Sequence, residues 1–248
     1  MPATSPERYV VVSCHVERLL DDRVWAAYSE LQRTPPGGLA IASLVRPPDP
    51  GTTEDESVWL ERARVLVDTG APFGHHTHWT SPTHARPTGG DPGERVASEG
   101  AWLQSHGFAP AHFVGGGWYT DLGVAEACAA FGYADCTPRA SRPGYLGPEA
   151  SWAQLGAPAV VELQSGPELL ALPTTHSIGD ALRVALRPSL PQHLHVYFHD
   201  TDLVAPRRRR LVSLALRILG GRGSRSDLDE LRSVGAPRRI PWEEIARP

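Results

Sequence analysis

Neither lysine nor asparagine occurs anywhere in this chain of 248 residues. All 24 basic side chains are therefore arginine, set against 28 acidic ones for a net charge of -4. The absence of lysine excludes Schiff-base catalysis, a pyridoxal phosphate anchor, a phosphate-loop lysine and a kinase-type strand lysine. The absence of asparagine excludes an N-glycosylation acceptor. Cysteine is scarce, with only Cys14, Cys128 and Cys136 and no Cys-x-x-Cys spacing, so neither a disulfide framework nor a zinc ribbon is expected. Long apolar runs are also missing. Tyr9 to Cys14 is too short for a signal-peptide core or a membrane span, and the expectation is a cytoplasmic protein. A pI of about 6.3 argues against a nucleic-acid binder. The one dense basic run, Arg207 to Arg210, reads as a solvated helix turn or as a weak peripheral contact for anionic lipid.

What remains is an ordinary globular composition, 41% hydrophobic and 21% charged. Apolar β-branched runs at Tyr9 to Cys14, Leu39 to Val45, Pro110 to Val114 and His193 to His199 read as buried strands. Helical patterns fall between them, at Arg23 to Gln32, Glu54 to Asp68, Glu94 to His106 and Leu122 to Phe131, with Asp21 and Asp121 as caps. Strand then helix, repeated with short connections, predicts an α/β fold with a parallel sheet. The expected organisation is one barrel-like domain over residues 1–248, with a helical C-terminal extension from about residue 204.

In such folds the chemistry sits at the C-terminal ends of the strands. That rule selects His15 and Glu17 after the first strand, and His75, His76 and His78 after the third. It also selects Gly115-Gly-Gly-Trp118, and His199-Asp200 with Asp202 two further on. His76 and His78 are two apart and share a face of an extended chain, as do His15 and Glu17. Two imidazoles joined by a carboxylate or third imidazole from another strand are a recipe for a divalent metal site. His199 beside Asp200 suits a general acid or base. Gly116 lets backbone approach a ligand, Trp118 offers a flat apolar face, and His176 is a candidate cleft residue. His84, His106 and His112 read as loop or surface residues, and His195 as a residue that could alternate outward.

The order of these segments resembles the NodB-like polysaccharide deacetylase family, from about Tyr9 to Leu203. Tyr9 to Glu17 stands where that family has its first strand and aspartate pair. Phe73-Gly-His-His-Thr-His-Trp79 is similar to its Gly-Asn-His-Thr metal segment, and Phe113-Val-Gly-Gly-Gly-Trp-Tyr119 to its Arg-Pro-Pro segment. Gly132-Tyr-Ala-Asp135 is similar to the strand that follows, and Val196-Tyr-Phe-His-Asp200 to the last motif, whose His is the general acid. The resemblance implies a distorted (β/α) barrel of the NodB/polysaccharide deacetylase type, and a metal-dependent hydrolase. The departures are specific. His15-Val16-Glu17 replaces the aspartate pair, the second metal histidine falls on Thr80, and Val114 or Gly115 stands where the family has an arginine. His78, or His84, would substitute for that second histidine.

The function so implied is hydrolysis of an amide, most naturally N-deacetylation of an acetylated sugar or small-molecule intermediate. His76 and His78, with His15 or Glu17, would hold one divalent ion, zinc first, with cobalt, manganese or nickel as alternatives. Glu17 would take a proton from water, and His199, oriented by Asp200, would protonate the leaving amine. Trp79, Gly116, Trp118, Tyr119 and His176 would line the substrate. The rival readings are another metal-dependent hydrolase, of phosphoesterase or amidohydrolase type, and a non-catalytic barrel that binds carbohydrate or a partner through Trp79, Trp118 and Tyr119.

Overall fold

The computed structural model describes residues 9–49, 51–81, 84–144, 146, 150–222, 224–236 and 238–247. Strands and helices alternate from the start: β1 (Tyr9–Val16), α1 (Asp22–Arg33), β2 (Ile41–Val45), α2 (Glu56–Asp68), β3 (Phe73–Thr77), α3 (Pro92–Ser105), β4 (His112–Gly115), α4 (Leu122–Ala130) and β5 (Ala134–Asp135). Four short strands follow: β6 (Trp152–Ala153), β7 (Ala159–Glu162), β8 (Glu168–Ala171) and β9 (His176–Ser177). Then come α5 (Ile178–Ala185), β10 (His193–His199) and α6 (Pro206–Gly220). The chain closes with β11 (Ser224–Arg225), α7 (Leu228–Val234), β12 (Arg239–Pro241), α8 (Trp242–Ile245) and β13 (Ala246–Arg247). The segment after residue 204, expected to be helical, thus also contributes three strands.

Local chemistry sets the helix starts. Asp21, Asp55, Asp91 and Asp121 each accept a backbone N–H of the helix they precede, so four aspartates satisfy donors that the first turn leaves open. The main sheet runs β12-β7-β8-β5-β4-β3-β2-β1-β10-β9, with β11 added beside β1. Its pairs are parallel except β7 with β8, which is antiparallel. Among the described residues no strand pair joins the two ends of this order, so the barrel is curled but not closed.

Both faces of β1 are buried, as a parallel strand between two layers requires. Val10, Val12, Cys14 and Val16 pack outward in one cluster with Tyr28 of α1, Ala181 of α5 and Leu216 of α6. Val11 belongs to a second, inner cluster with Leu44, Val114, Cys136 and Leu172. Leu228 and Leu231 of α7 join that inner cluster. Asp229 of the same helix accepts a bond from Nε2 of His112 at 2.7 Å. His112 is therefore a buried residue of β4 and not a surface one. His195 is buried inward as well, because strand period 2 places it on the same face as Tyr197 and His199.

Candidate functional site

Parallel pairing brings the strand ends together. His15 stands beside His199 in the β1–β10 register, and His76 and Thr77 stand beside Val114 and Gly115 in the β3–β4 register. Glu17, just past β1, reaches into the same space. Its Oε1 lies 3.2 Å from Nε2 of His78, 3.5 Å from Nε2 of His199 and 3.6 Å from Nε2 of His76. His75 points the other way, where its Nε2 donates to Glu99 at 2.8 Å. Arg95 completes that buried pair by donating to the other Glu99 oxygen at 2.5 Å.

Nδ1 of His76 lies 2.9 Å from the Val114 carbonyl, which can only accept, so the ring proton sits on Nδ1. Its Nε2 then carries a lone pair, and that atom is buried without a hydrogen-bond partner. A backbone carbonyl that fixes the tautomer while the opposite nitrogen stays unengaged is how metal-binding histidines are held. The ligating atoms of Glu17, His76 and His78 lie within 4.8 Å of one another. Two imidazoles and a carboxylate at that spacing fit one divalent ion. His15, the sequence candidate for the third corner, lies outside this trio. Its ring centre is 4.9 Å from that of His76 and 5.2 Å from that of His199, and its Nε2 is likewise buried and unpartnered. The third corner falls to Glu17 because a side chain past the strand end can turn back over His78, whereas His15 is locked in the strand.

Burial disfavours charge on the imidazoles. It pushes His15 well below the ordinary histidine range, with His76 and His199 nearby adding to the effect, and it takes His76 down to about 4. Burial alone would raise the Glu17 carboxyl. The facing imidazoles of His76, His78 and His199 outweigh it and hold Glu17 well below the usual carboxylate range.

The floor of the site is aromatic. Trp118 sits at φ 63°, a left-handed conformation that costs a bulky residue on the order of 1–3 kcal/mol and persists only where surroundings impose it. Its ring packs 5.3 Å from His15 and 4.7 Å from Tyr197, which in turn stacks on His15 at 5.1 Å. Beneath them the Arg139 guanidinium lies 4.3 Å from the Trp118 ring centre and 5.2 Å from that of Tyr197. Arg139 comes from a stretch with no periodic pattern, and nothing in the sequence singled it out. Tyr197 had a signal, since it alternates with His195 and His199 on one strand face.

Other sequence candidates do different work. Asp200 is fully buried and accepts the backbone N–H groups of Arg18 and Thr201, each at 2.8 Å, so it ties the Glu17 segment to the end of β10. It does not orient the His199 ring. The carboxylate nearest Nδ1 of His199 is Asp202, at 4.0 Å, which also accepts the His199 backbone N–H at 3.1 Å and an Arg208 donor at 2.6 Å. Of the basic run, Arg208 is thus engaged with Asp202, and Arg209 pairs with Glu30 at 2.8 Å. Trp79 is buried and donates from Nε1 to the Gly116 carbonyl at 2.8 Å, and Tyr119 donates to Asp121 at 2.5 Å, so both brace the glycine turn. His176 is half-buried on β9, its Nδ1 2.8 Å from the Thr175 hydroxyl, and it lies outside the walls of the cavity.

That cavity, about 600 Å³, opens above the cluster. One wall is His15, Glu17, His76, Trp118, Tyr197 and His199. The other is the segment from His84 to Thr88, which includes His84, expected from sequence to be a loop or surface residue. Two of the three glycines, Gly116 and Gly117, explain how the loop comes so close. A Cβ at Gly116 would lie 2.7 Å from the Ala85 carbonyl oxygen, and one at Gly117, where φ is +60°, would lie 2.8 Å from Cγ of Arg86. At Gly115 the obstruction is the Tyr119 carbonyl oxygen at 2.4 Å. The glycine run thus admits the chain's own backbone, and Gly115 and Gly117 also line the cavity. Thr137 supports the turn by accepting the Gly115 N–H at 2.8 Å, and Asp135 accepts the Thr137 N–H at 2.8 Å.

No protein-family model and no curated protein matches the sequence. Solved structures do match the fold. A Mycobacterium smegmatis protein that carries a provisional name as a polysaccharide deacetylase aligns over 97% of this chain and 96% of its own, with TM-score 0.60 and 12% identity. A 4-alpha-glucanotransferase from Thermococcus litoralis aligns over 96% of this chain and 42% of its own, with TM-score 0.59 and 11% identity. The likeness is one of fold. It agrees with the expected distorted (β/α) barrel. Among the described residues no helix is long and apolar enough to cross a membrane.

Proposed function

We propose that the protein is a metal-dependent amide hydrolase of the N-deacetylase kind. The observation that carries this reading is the unengaged, buried Nε2 of His76, set within 4.8 Å of donor atoms on His78 and Glu17 in the wall of the cavity. The fold likeness to a deacetylase-named structure agrees with it. His76, His78 and Glu17 would hold a divalent ion, zinc by preference for this nitrogen-rich set. Such an ion polarises an acyl carbonyl and acidifies water.

The chain's own residues supply the rest. With Glu17 among the ligands, the proton passes through His199, the most exposed imidazole of the cluster, its side chain 37% accessible. Hydrolysis of an amide moves one proton from the attacking water to the leaving nitrogen. One imidazole can take it and give it back, so no second acid is required. Asp202 beside Nδ1 stabilises the charge His199 gains in between. Trp118, Tyr197 and Arg139 hold His15 in place and close the floor against water. The substrate we favour is an N-acetylated sugar or related small molecule that fits the cavity.

The test is acetate release from N-acetylated sugars by zinc-loaded protein, against phosphate release from phosphoesters. Acetate release that falls at least about a hundredfold in His199→Gln supports the assignment. Phosphate release without acetate release would place the same cluster in phosphoester chemistry instead.

A further inference from the structure

Helix α6 carries charge of one sign in a chain whose net charge is -4. From Leu203 to Ser226 the sequence holds Arg207 to Arg210, Arg217, Arg222 and Arg225, and no Asp or Glu. Two of these arginines are neutralised from outside the helix, Arg208 by Asp202 at 2.6 Å and Arg209 by Glu30 at 2.8 Å. Arg207, Arg210 and Arg217 are exposed, and among the described residues none of these three side chains is engaged by a hydrogen bond or ion pair.

The three lie on one face. Spacings of three, four and three residues set Arg207, Arg210, Leu214 and Arg217 along one stripe of the helix, about 15 Å long. Leu214, within the stripe, is 50% exposed, although α6 buries Val212, Ala215, Leu216 and Leu219 on its other side. A groove of about 490 Å³ follows the stripe, its walls including Leu203, Val204, Pro206, Arg210, Leu214 and Arg217. An exposed leucine among unpaired guanidiniums suits a partner with dense negative charge above an apolar layer. A bilayer with anionic headgroups offers both, and arginine stems can lie along the apolar layer with their heads in the polar one. A nucleic-acid backbone offers the charge but nothing to receive Leu214.

We infer that the exposed face of α6 is a docking surface for an anionic bilayer, with Leu214 as its apolar contact. The docking is peripheral and reversible, because one leucine and three charges fall short of a stable anchor. The residues that carry it are not the basic run as a block. The fold withdraws Arg208 and Arg209 into ion pairs and adds Arg217, further along the helix. The inference does not depend on the hydrolase reading.

Co-sedimentation of the purified protein with vesicles of phosphatidylcholine, with and without about one-third phosphatidylglycerol, tests this. An arginine near an anionic surface contributes about fivefold in partitioning. Three should therefore give about a 100-fold preference for the anionic vesicles at low salt, falling as salt is raised. Arg207→Gln, Arg210→Gln and Arg217→Gln combined should remove most of that preference, and Leu214→Ser should weaken binding several-fold. Arg64→Gln combined with Arg238→Gln, at exposed positions of other segments, should keep the preference within about twofold. All the substituted side chains are exposed, and circular dichroism should show every variant folded. Equal binding to both vesicles, no binding to either, or a preference that survives in the triple variant would overturn the inference. So would binding to duplex DNA as tight as to the anionic vesicles, which would make the stripe a general polyanion patch. Release from the vesicles by inorganic phosphate at constant ionic strength would also overturn it, and assign the arginines to a free phosphate.

Discussion

Asp200 accepts the backbone N–H of Arg18 at 2.8 Å, and through that bond the loop carrying Glu17 is fastened to the end of β10. A carboxylate that the sequence offers as a catalytic partner is a tie between two strand ends. Burial raises its carboxyl to about 7, as befits a group that is enclosed more than it is paired.

Asp200 and Asp202 should therefore separate on mutation. Asp200→Ala removes the acceptor of two part-buried N–H donors, at about 0.5–1.5 kcal/mol each, and should lower the denaturant midpoint. Asp202→Asn should leave stability nearly unchanged but lower kcat and displace the pH profile of acetate release. A shifted profile in the Asp200 variant and none in the Asp202 variant would reverse the assignment.

Metal content tests the trio directly. His76→Ala and Glu17→Gln should each retain at least about tenfold less zinc after dialysis than the wild type, by mass spectrometry of folded protein. His15→Ala should keep the wild-type content, since His15 stands outside the group of donor atoms. Loss of zinc in His15→Ala with retention in Glu17→Gln would move the third corner back to His15.

Acid sensitivity follows from a buried histidine remote from the ligands. His195 is bonded to Ser13 at 2.9 Å and to the Leu172 carbonyl at 3.3 Å, and burial lowers it from 6.5 to about 3. The unfolded chain binds the extra proton between those values, so this stability is present above pH 6.5 and is lost as pH falls toward 3. His195→Gln should flatten the fall in urea midpoint over that window. Asp135, raised by burial from 3.8 to about 6, acts with the opposite sign: its contribution is present below 3.8 and is lost as pH rises through 6. Asp135→Asn should accordingly steepen the acid dependence.

The glycine turn gives a steric test. Gly115→Ala places a methyl against the Tyr119 carbonyl oxygen and the Trp79 ring, and should cost several kcal/mol with loss of zinc affinity. Gly132→Ala meets nothing within 4 Å although φ is +68°, so only the backbone term of about 1–2 kcal/mol applies. Thermal melts of the two variants should differ accordingly.

Much of this was legible in one dimension. Strand and helix periodicity marks β1, β10 and the helices between them, because the alternation of buried side chains is a local property of each element. The same period brings out His76, His78 and His199 at strand ends, and by itself the absence of lysine removes a whole class of covalent chemistry. What the chain order could not decide was who meets whom. Asp200, next to His199 in the chain, is the partner the sequence favours over Asp202; only the turn after β10 decides that Asp200 faces Arg18 and Asp202 the imidazole. Arg139 and Arg86 gather around the site from separate segments with no shared motif, because the curl of the sheet and the packing of a loop on Gly116 and Gly117 are properties of the folded molecule alone.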